Sequence, residues 1–271
     1  MKNFVNPPPL SPLPQGEGKS EGLSLLPPPL TGGGEHVLSE IEGGEGEQVF
    51  PDETLDEIEE VRIIQKKKGR RFTTDSVLLA TLSTPKKYAK VLELGTGCGI
   101  VSIVLSKRIP SLRITAVEIQ EKMAGLAERN VKLNDMDDSI SVLNRDIKQL
   151  SKILPSAHFD YIVTNPPYRP PASGRISPDR TSSISNHEFV VTINDIMKVS
   201  RYLLKVRGRI SIIYIADRLA DLFSTMRKYR IEPKEMRGIL TKRSGGIKLV
   251  WVEGVREGKP GLKLSCFSKH L

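Results

Sequence analysis

Cysteine is scarce, with two in 271 residues, which excludes a disulfide framework and points to a reducing compartment. Aromatic residues make up only 5% of the chain, with a single tryptophan. No apolar run approaches the roughly 18 residues of a membrane-spanning helix. The opening MKNFVNPPPL lacks the apolar stretch of a secretory signal. The four histidines, His36, His158, His187 and His270, show no metal-ligand spacing. Collagen, a disulfide-stapled toxin, a membrane channel and a fully disordered chain are excluded. The expectation is a cytoplasmic protein with no membrane contact and no metal. An apolar fraction of 38% against 27% charged permits a real core.

Charge is unevenly divided. Residues 1–60 hold 2 Lys+Arg and 13 Asp+Glu, whereas the remaining 211 residues carry a net +20 within the overall +9. A globular part this basic suggests a polyanionic partner. Residues 1–50 contain 8 Pro and 9 Gly, and PPPL occurs at 7–10 and 27–30. That composition predicts a disordered acidic tail without catalytic role, and a functional protein that starts downstream of it. A cap segment is expected over 51–89, a catalytic domain over 90–255 and a C-terminal tail over 256–271.

Beyond residue 60 strands and helices alternate. Strands are predicted at Val61–Gln65, Lys90–Leu94, Leu112–Glu118, Ser139–Leu143, Phe159–Thr164 and Arg209–Ile215. Helices are predicted at Thr74–Leu82 with Thr74 as N-cap, then Ile100–Arg108, Glu121–Leu133, Phe189–Leu203 and Arg218–Arg227. Ile239-Leu240, Ser244-Gly245-Gly246 and Ile247–Val252 read as a closing antiparallel hairpin, and 165–187 as a long polar loop. Strands separated by helical lengths imply a parallel sheet covered on both faces. Ligands of such sheets bind beyond the strands' carboxyl ends, where the motifs below fall.

In VLELGTGCGI, Gly95, Gly97 and Gly99 follow an apolar strand and precede a helix. A dinucleotide fingerprint wants its third glycine where Ile100 sits. Glu93 just before the glycines repels phosphates and suits a ligand with a positive end, so a nicotinamide oxidoreductase fits poorly. Glu118 ends the next strand, where a carboxylate can accept both ribose hydroxyls. These features point to S-adenosylmethionine. Asp146, after the third strand, is a candidate acceptor for an adenine amino group, or else an N-cap. Cys98 has no evident basic partner and reads as a small residue in a tight turn.

FDYIVTNPPY carries the sharpest signal. It delivers Asn165, Pro166, Pro167 and Tyr168 to the sheet edge. Two prolines cannot continue a central strand. The amide oxygen of Asn165 and the carbonyl of Pro166 are two acceptors able to grip both hydrogens of a planar NH2 group. Pulling those hydrogens aside localises the nitrogen lone pair toward a methyl donor. Tyr168 can stack on the flat acceptor group. Lys66, Lys67, Lys68, Arg70 and Arg71 form one basic cluster and residues 225–250 another. Such clusters bind phosphates without reading sequence.

QKKKGRRFTTDSVLLATL, VLELGTGCGIVSIVL, AERNVKLN and FDYIVTNPPY together resemble the bacterial tRNA adenine-N6 methyltransferase family that modifies the adenine beside the anticodon of a valine tRNA. The resemblance spans roughly residues 54–255. It implies an α/β, Rossmann-like class I methyltransferase fold whose seven-stranded, mostly parallel sheet ends in an antiparallel hairpin. It implies S-adenosylmethionine at Glu93, Gly95 and Glu118, a segment around Phe72 and Asp75 covering the methionine end of the cofactor, and tRNA as partner. Arg70 replaces the family's usual tyrosine, and Asn186-His187-Glu188 replaces an Arg-His-Glu element; His187 is a candidate substrate contact. The rival readings are N5-methylation of a release-factor glutamine, N2-methylation of guanine in ribosomal RNA, and a catalytically silent RNA-binding scaffold.

Overall fold

A computed structural model describes residues 48–68, 71–167, 191–240 and 246–268. Residues 1–47 of the tail predicted over 1–50 lie outside them, as do Arg70, Tyr168 and His187.

An antiparallel hairpin comes first: β1 (Glu53–Ile58) and β2 (Val61–Lys66). Glu59 and Glu60 turn it with φ of 50° and 60°, the backbone sense that tight hairpins favour. Then follow α1 (Thr74–Leu82), β3 (Lys90–Leu94), α2 (Ile100–Arg108), β4 (Arg113–Glu118), α3 (Glu121–Leu133), β5 (Ile140–Asn144), the single-turn α4 (Leu150–Ile153) and β6 (Phe159–Thr164). Beyond residue 190 come α5 (Ile193–Leu203), β7 (Leu204–Ile215), α6 (Leu219–Lys228), β8 (Ile231–Leu240), β9 (Ile247–Arg256) and β10 (Lys263–Ser268).

The main sheet runs β10-β8-β9-β7-β6-β3-β4-β5. Only β9 pairs antiparallel, with β7 and with β8, so the closing hairpin stands as expected. The sheet has one strand more than the expected seven, because Lys263–Ser268, expected to lie in the tail, pairs parallel to β8. Its side chains are mostly exposed, so no apolar pattern marks it. Two apolar layers cover the sheet. The hairpin with α1, α2 and α3 packs one face, through residues such as Ile63, Leu79, Ile103 and Leu126. Helices α4, α5 and α6 pack the other, through Leu150, Met197, Leu203 and Leu222.

Several element bounds differ from expectation, β4, β5 and α6 by a start one residue later. The N-cap of α1 is Thr73, one residue before Thr74. Helix α5 begins at Ile193 because Thr192 and Asp195 close a capping box: Asp195 N donates to Thr192 Oγ1 at 3.2 Å and Thr192 N to Asp195 Oδ2 at 3.0 Å. Strand β7 starts directly after α5 at Leu204, with a register shift opposite Phe159–Tyr161.

Strand β1 is an element the sequence analysis does not predict, within the segment expected as a cap. Glu53 and Asp56 are buried. Arg129 of α3 grips Glu53 with two nitrogens at 2.8 and 2.9 Å, and Lys66 adds a third contact at 3.0 Å. Asp56 takes Arg71 at 2.9 Å and Gln65. Buried carboxylates are tolerable only with such partners. The hairpin is further held by the two asparagines of AERNVKLN. Asn130 accepts from Ile64 N at 2.7 Å and donates to Ile64 O at 2.8 Å; Asn134 does the same for Arg62 at 3.0 and 2.7 Å. Side chains at i and i+4 of a helix rise about 6 Å apart, close to the roughly 6.6 Å between alternate residues of a strand. Helix α3 therefore satisfies the free edge of β2 as a neighbouring strand would.

Candidate active site

Pairing register sets the carboxyl ends of four strands side by side. Leu94 lies opposite Thr164 and Val117, and Glu118 opposite Asn144. Thr164 Oγ1 donates to Leu94 O at 2.9 Å. The glycine loop and Asn165-Pro166-Pro167 thus leave adjacent strands, about 5 Å apart.

Gly95, Gly97 and Gly99 have φ of 78°, 58° and 93°, a region costly for residues with a Cβ. Gly95 N and Thr96 N both donate to Val117 O at 2.9 Å, and Gly97 N donates to Glu118 Oε2 at 3.0 Å. A Cβ built on Gly95 or Gly97 meets no atom within 4 Å, so the loop borders open space. Gly99, the N-cap of α2, instead lies against Ala127 of α3. Asn130 adds a brace by donating to Cys98 O at 2.8 Å.

Both carboxylates expected at the cofactor are here, and both are buried. Glu93 Oε2 accepts from Thr96 Oγ1 at 2.7 Å, from Ser102 N at 3.1 Å and from Ser102 Oγ. Burial pushes its carboxyl up to about 7; the Ser102 and Thr96 donors pull against that and the neighbouring Glu118 charge adds to it. Glu118 accepts from Gly97 N and, at 2.9 Å, from Gln120 N. Two acidic groups beside an open glycine cradle fit a ligand bearing positive charge and ribose hydroxyls. They do not fit a pyrophosphate. Asp146 lies just beyond β5 and caps a single 3-10 turn, accepting from Lys148 N at 2.8 Å. Its capping alternative is therefore realised. Cys98 is buried, which pushes its thiol up to about 12 and away from the thiolate a nucleophile needs.

Asn165 is half-buried, Pro166 buried and Pro167 exposed. Asn165 Nδ2 donates to Ser76 Oγ at 3.0 Å, which joins the Asn-Pro-Pro edge to the first turn of α1. Asp75 occupies that same turn. Phe72, partly buried against the core, has its N–H bound to Gln65 Oε1 at 3.2 Å. The segment expected over the cofactor is therefore tied to both the hairpin and the NPP edge.

The basic residues separate into two kinds. Lys66 pairs with Asp52 at 2.9 Å as well as with Glu53, and Arg71 holds Asp56 and Thr54. These two hold the hairpin. Lys67 and Lys68 are exposed. In the second cluster Arg227 binds Glu232 at 2.8 Å, and Arg237 binds Glu235 at 2.7 Å while lying over the Trp251 ring. A cavity of about 200 Å³ lies at the opposite, amino end of the strands, where Lys90, Arg113 and His158 meet Asp137 and Asp138. Its mixed charge and its distance from the motifs give it no part in the site. Among the described residues no three His, Cys, Asp or Glu side chains converge on a metal-sized position.

Sequence reasoning missed Thr96, Ser102, Ser76 and Asn144. Asn144 Nδ2 donates to Glu118 O at 2.9 Å and to Ile119 O at 3.1 Å. Asn130 carried a readable signal, since an asparagine amid the apolar face of a helix is an anomaly. The other four had none.

Fold and site together define a class I S-adenosylmethionine-dependent methyltransferase. Residues 72–179 match the family model described as "Methyltransferase small domain". A predicted O-methyltransferase from Agrobacterium tumefaciens superposes with a TM-score of 0.58 at 20% identity, over 72% of this chain and 87% of that one. M. jannaschii TYW2 in complex with AdoMet gives 0.52 at 15% identity, over 75% and 85%. In sequence, the tRNA1(Val) (adenine(37)-N6)-methyltransferase of Bacteroides thetaiotaomicron is 30% identical over 173 residues, 64% of this chain and 71% of that protein. Its Porphyromonas gingivalis counterpart is 29% identical over 177 residues, 63% and 69%. The chain belongs to the tRNA1(Val) (adenine(37)-N6)-methyltransferase family.

Proposed function

We propose that this protein methylates the exocyclic N6 of an adenine in tRNA, beside the anticodon, and does so in the cytoplasm. One observation carries the reading: an Asn-Pro-Pro edge and an open glycine cradle flanked by two buried carboxylates leave adjacent strands at one level of the sheet. Glu118 would accept the ribose hydroxyls of the cofactor, Asp146 the adenine amino group through the oxygen its cap leaves over, Oδ1 being held by Lys148 N, and Glu93 would balance the positive end. Phe72 and Asp75 would cover the methionine end. When bound, S-adenosylmethionine supplies an electrophilic methyl carbon.

The chain's own contribution is to bind and orient. The Asn165 amide oxygen and the Pro166 carbonyl accept the two hydrogens of the target amine. This frees its lone pair, and the grip strengthens as the nitrogen becomes tetrahedral and positive. Tyr168 would stack on the base. An anticodon-loop base costs less to unstack than a duplex base, a few kcal/mol at most. The exposed Lys67 and Lys68 would meet phosphates, with Arg70 and His187 as further substrate contacts. Lys66 and Arg71 support that surface by holding the hairpin. No helix among the described residues is long and apolar enough to cross a membrane. The test is incubation with methyl-labelled S-adenosylmethionine and, separately, tRNA, ribosomes and a release factor. Label recovered as N6-methyladenosine from tRNA is the expected result. Label in a glutamine side chain or in guanine would overturn it.

A further inference from the structure

Asn165 is useful to a target amine only in one of its two amide orientations. With Oδ1 toward the amine it accepts a hydrogen; flipped by about 180°, it presents its own NH2 and donor faces donor. The two rotamers fill nearly the same volume, so packing discriminates poorly between them. Ser76, 89 residues earlier in the chain, takes the Nδ2 hydrogen at 3.0 Å. Ser76 sits on the first turn of α1. That helix is anchored from behind: Val77, Leu78 and Leu79 are buried in the core, and Arg108 of α2 binds the carbonyls of Ala80 and Ser83 at its far end. The hydroxyl oxygen is thus held in a fixed place, and it is as the acceptor of the Nδ2 hydrogen, the role it has here, that it sets the amide.

We infer that Ser76 is a positioning residue for methyl transfer, one that fixes the orientation of the Asn165 amide so that its oxygen, not its nitrogen, meets the acceptor amine. The inference rests on the proposed role of Asn165 and extends it to a residue outside the NPPY tetrapeptide. The role inferred for Ser76 is exerted through Asn165.

A carboxylate supplies the test, because its two oxygens are equivalent and a flip changes nothing. The full-length protein is assayed on the acceptor identified by labelled S-adenosylmethionine, in four forms: wild type, Ser76→Ala, Asn165→Asp, and the double variant. Ser76→Ala should lower kcat about tenfold when Asn165 is intact, the size of one lost orienting hydrogen bond. Added to Asn165→Asp it should cost less than about threefold. KM and the calorimetric Kd for S-adenosylmethionine should be unchanged throughout. Equal losses in both backgrounds would overturn the inference, since a hydroxyl that only packs, or that donates and accepts indifferently, costs the same in each. Should Asn165→Asp be inactive, the isosteric pair Ser76→Thr and Ser76→Val decides. Thr keeps the hydroxyl and should retain kcat within about twofold, whereas Val should lose about tenfold; equal rates for the two refute the role. Asn165→Ala retaining full activity would instead refute the underlying reading of the tetrapeptide.

Discussion

Glu93 makes the protein's response to pH specific enough to refute. An ordinary glutamate titrates near 4.5, and in the fold this carboxyl is pushed up to about 7, by burial first and by the Glu118 charge in addition. The folded protein then holds the proton more tightly than the unfolded chain. Stability contributed by protonated Glu93 is fully present below pH 4.5 and is lost as pH rises to 7. A shift of this size corresponds to about 3 kcal/mol, or a fall of roughly 6–12 °C in Tm for a domain of this length. Glu93→Gln mimics the protonated acid and should lose none of it, so the melting curves of wild type and variant diverge between about pH 5 and 7. A cationic ligand reverses the preference. Bound beside Glu93 as proposed, S-adenosylmethionine would favour the ionised carboxylate, so binding at about pH 6 should release close to one proton and affinity should rise up to about tenfold per pH unit until about 7. Calorimetry in buffers of different ionisation enthalpy counts that proton. Binding without proton release by the wild type, or with the same release by Glu93→Gln, refutes this account of the site.

Asn165→Ala should lower kcat by roughly 10²–10³ while leaving S-adenosylmethionine affinity within error; loss of cofactor affinity with turnover per bound cofactor unchanged, by calorimetry and single-turnover kinetics, would overturn the assignment. Charge reversal at Lys67 and Lys68 together should weaken tRNA binding and reduce the slope of log K against log salt by about one per phosphate contact removed. An unchanged slope argues for a protein substrate. Arg129→Ala should destabilise the fold by about 3 kcal/mol, read as a drop in urea midpoint, because it removes the two-nitrogen grip on the buried Glu53 and leaves that carboxylate only Lys66 and the Phe50 N–H. Burial raises the Glu53 carboxyl, but Arg129, the Phe50 N–H and Lys66 overcome this and hold it at about 2. Its contribution is present above pH 4.5 and lost toward pH 2, and the variant should show less of this acid-sensitive stability.

Much of the fold was readable because its rules are local. The bounds of α2, α3, β3 and β6 agree with expectation, since apolar periodicity and the stop before Pro110 act on neighbouring residues. The glycine cradle was legible for the same reason: positive φ is demanded at particular positions and glycine supplies it. The Pro-Pro edge announced its own end of strand. Long-range pairing defeated the reading elsewhere. Glu53 and Asp56 look solvated until Arg129 and Arg71 are brought to them, and Lys66 looks free to bind phosphate until Asp52 and Glu53 face it. Strand β10 is exposed and exists only because β8 offers it an edge.

Identity and spacing of residues along the chain thus pointed to particular strand ends and to a kind of ligand that suits them. Folding settled which charges are neutralised inside, which cations stay available, and that a serine near the start of α1 meets an asparagine 89 residues later. The first kind of information is carried by backbone preference and periodicity over a few residues. The second comes from burial, which gives a charge or an amide its meaning only through the partner that tertiary contact sets beside it.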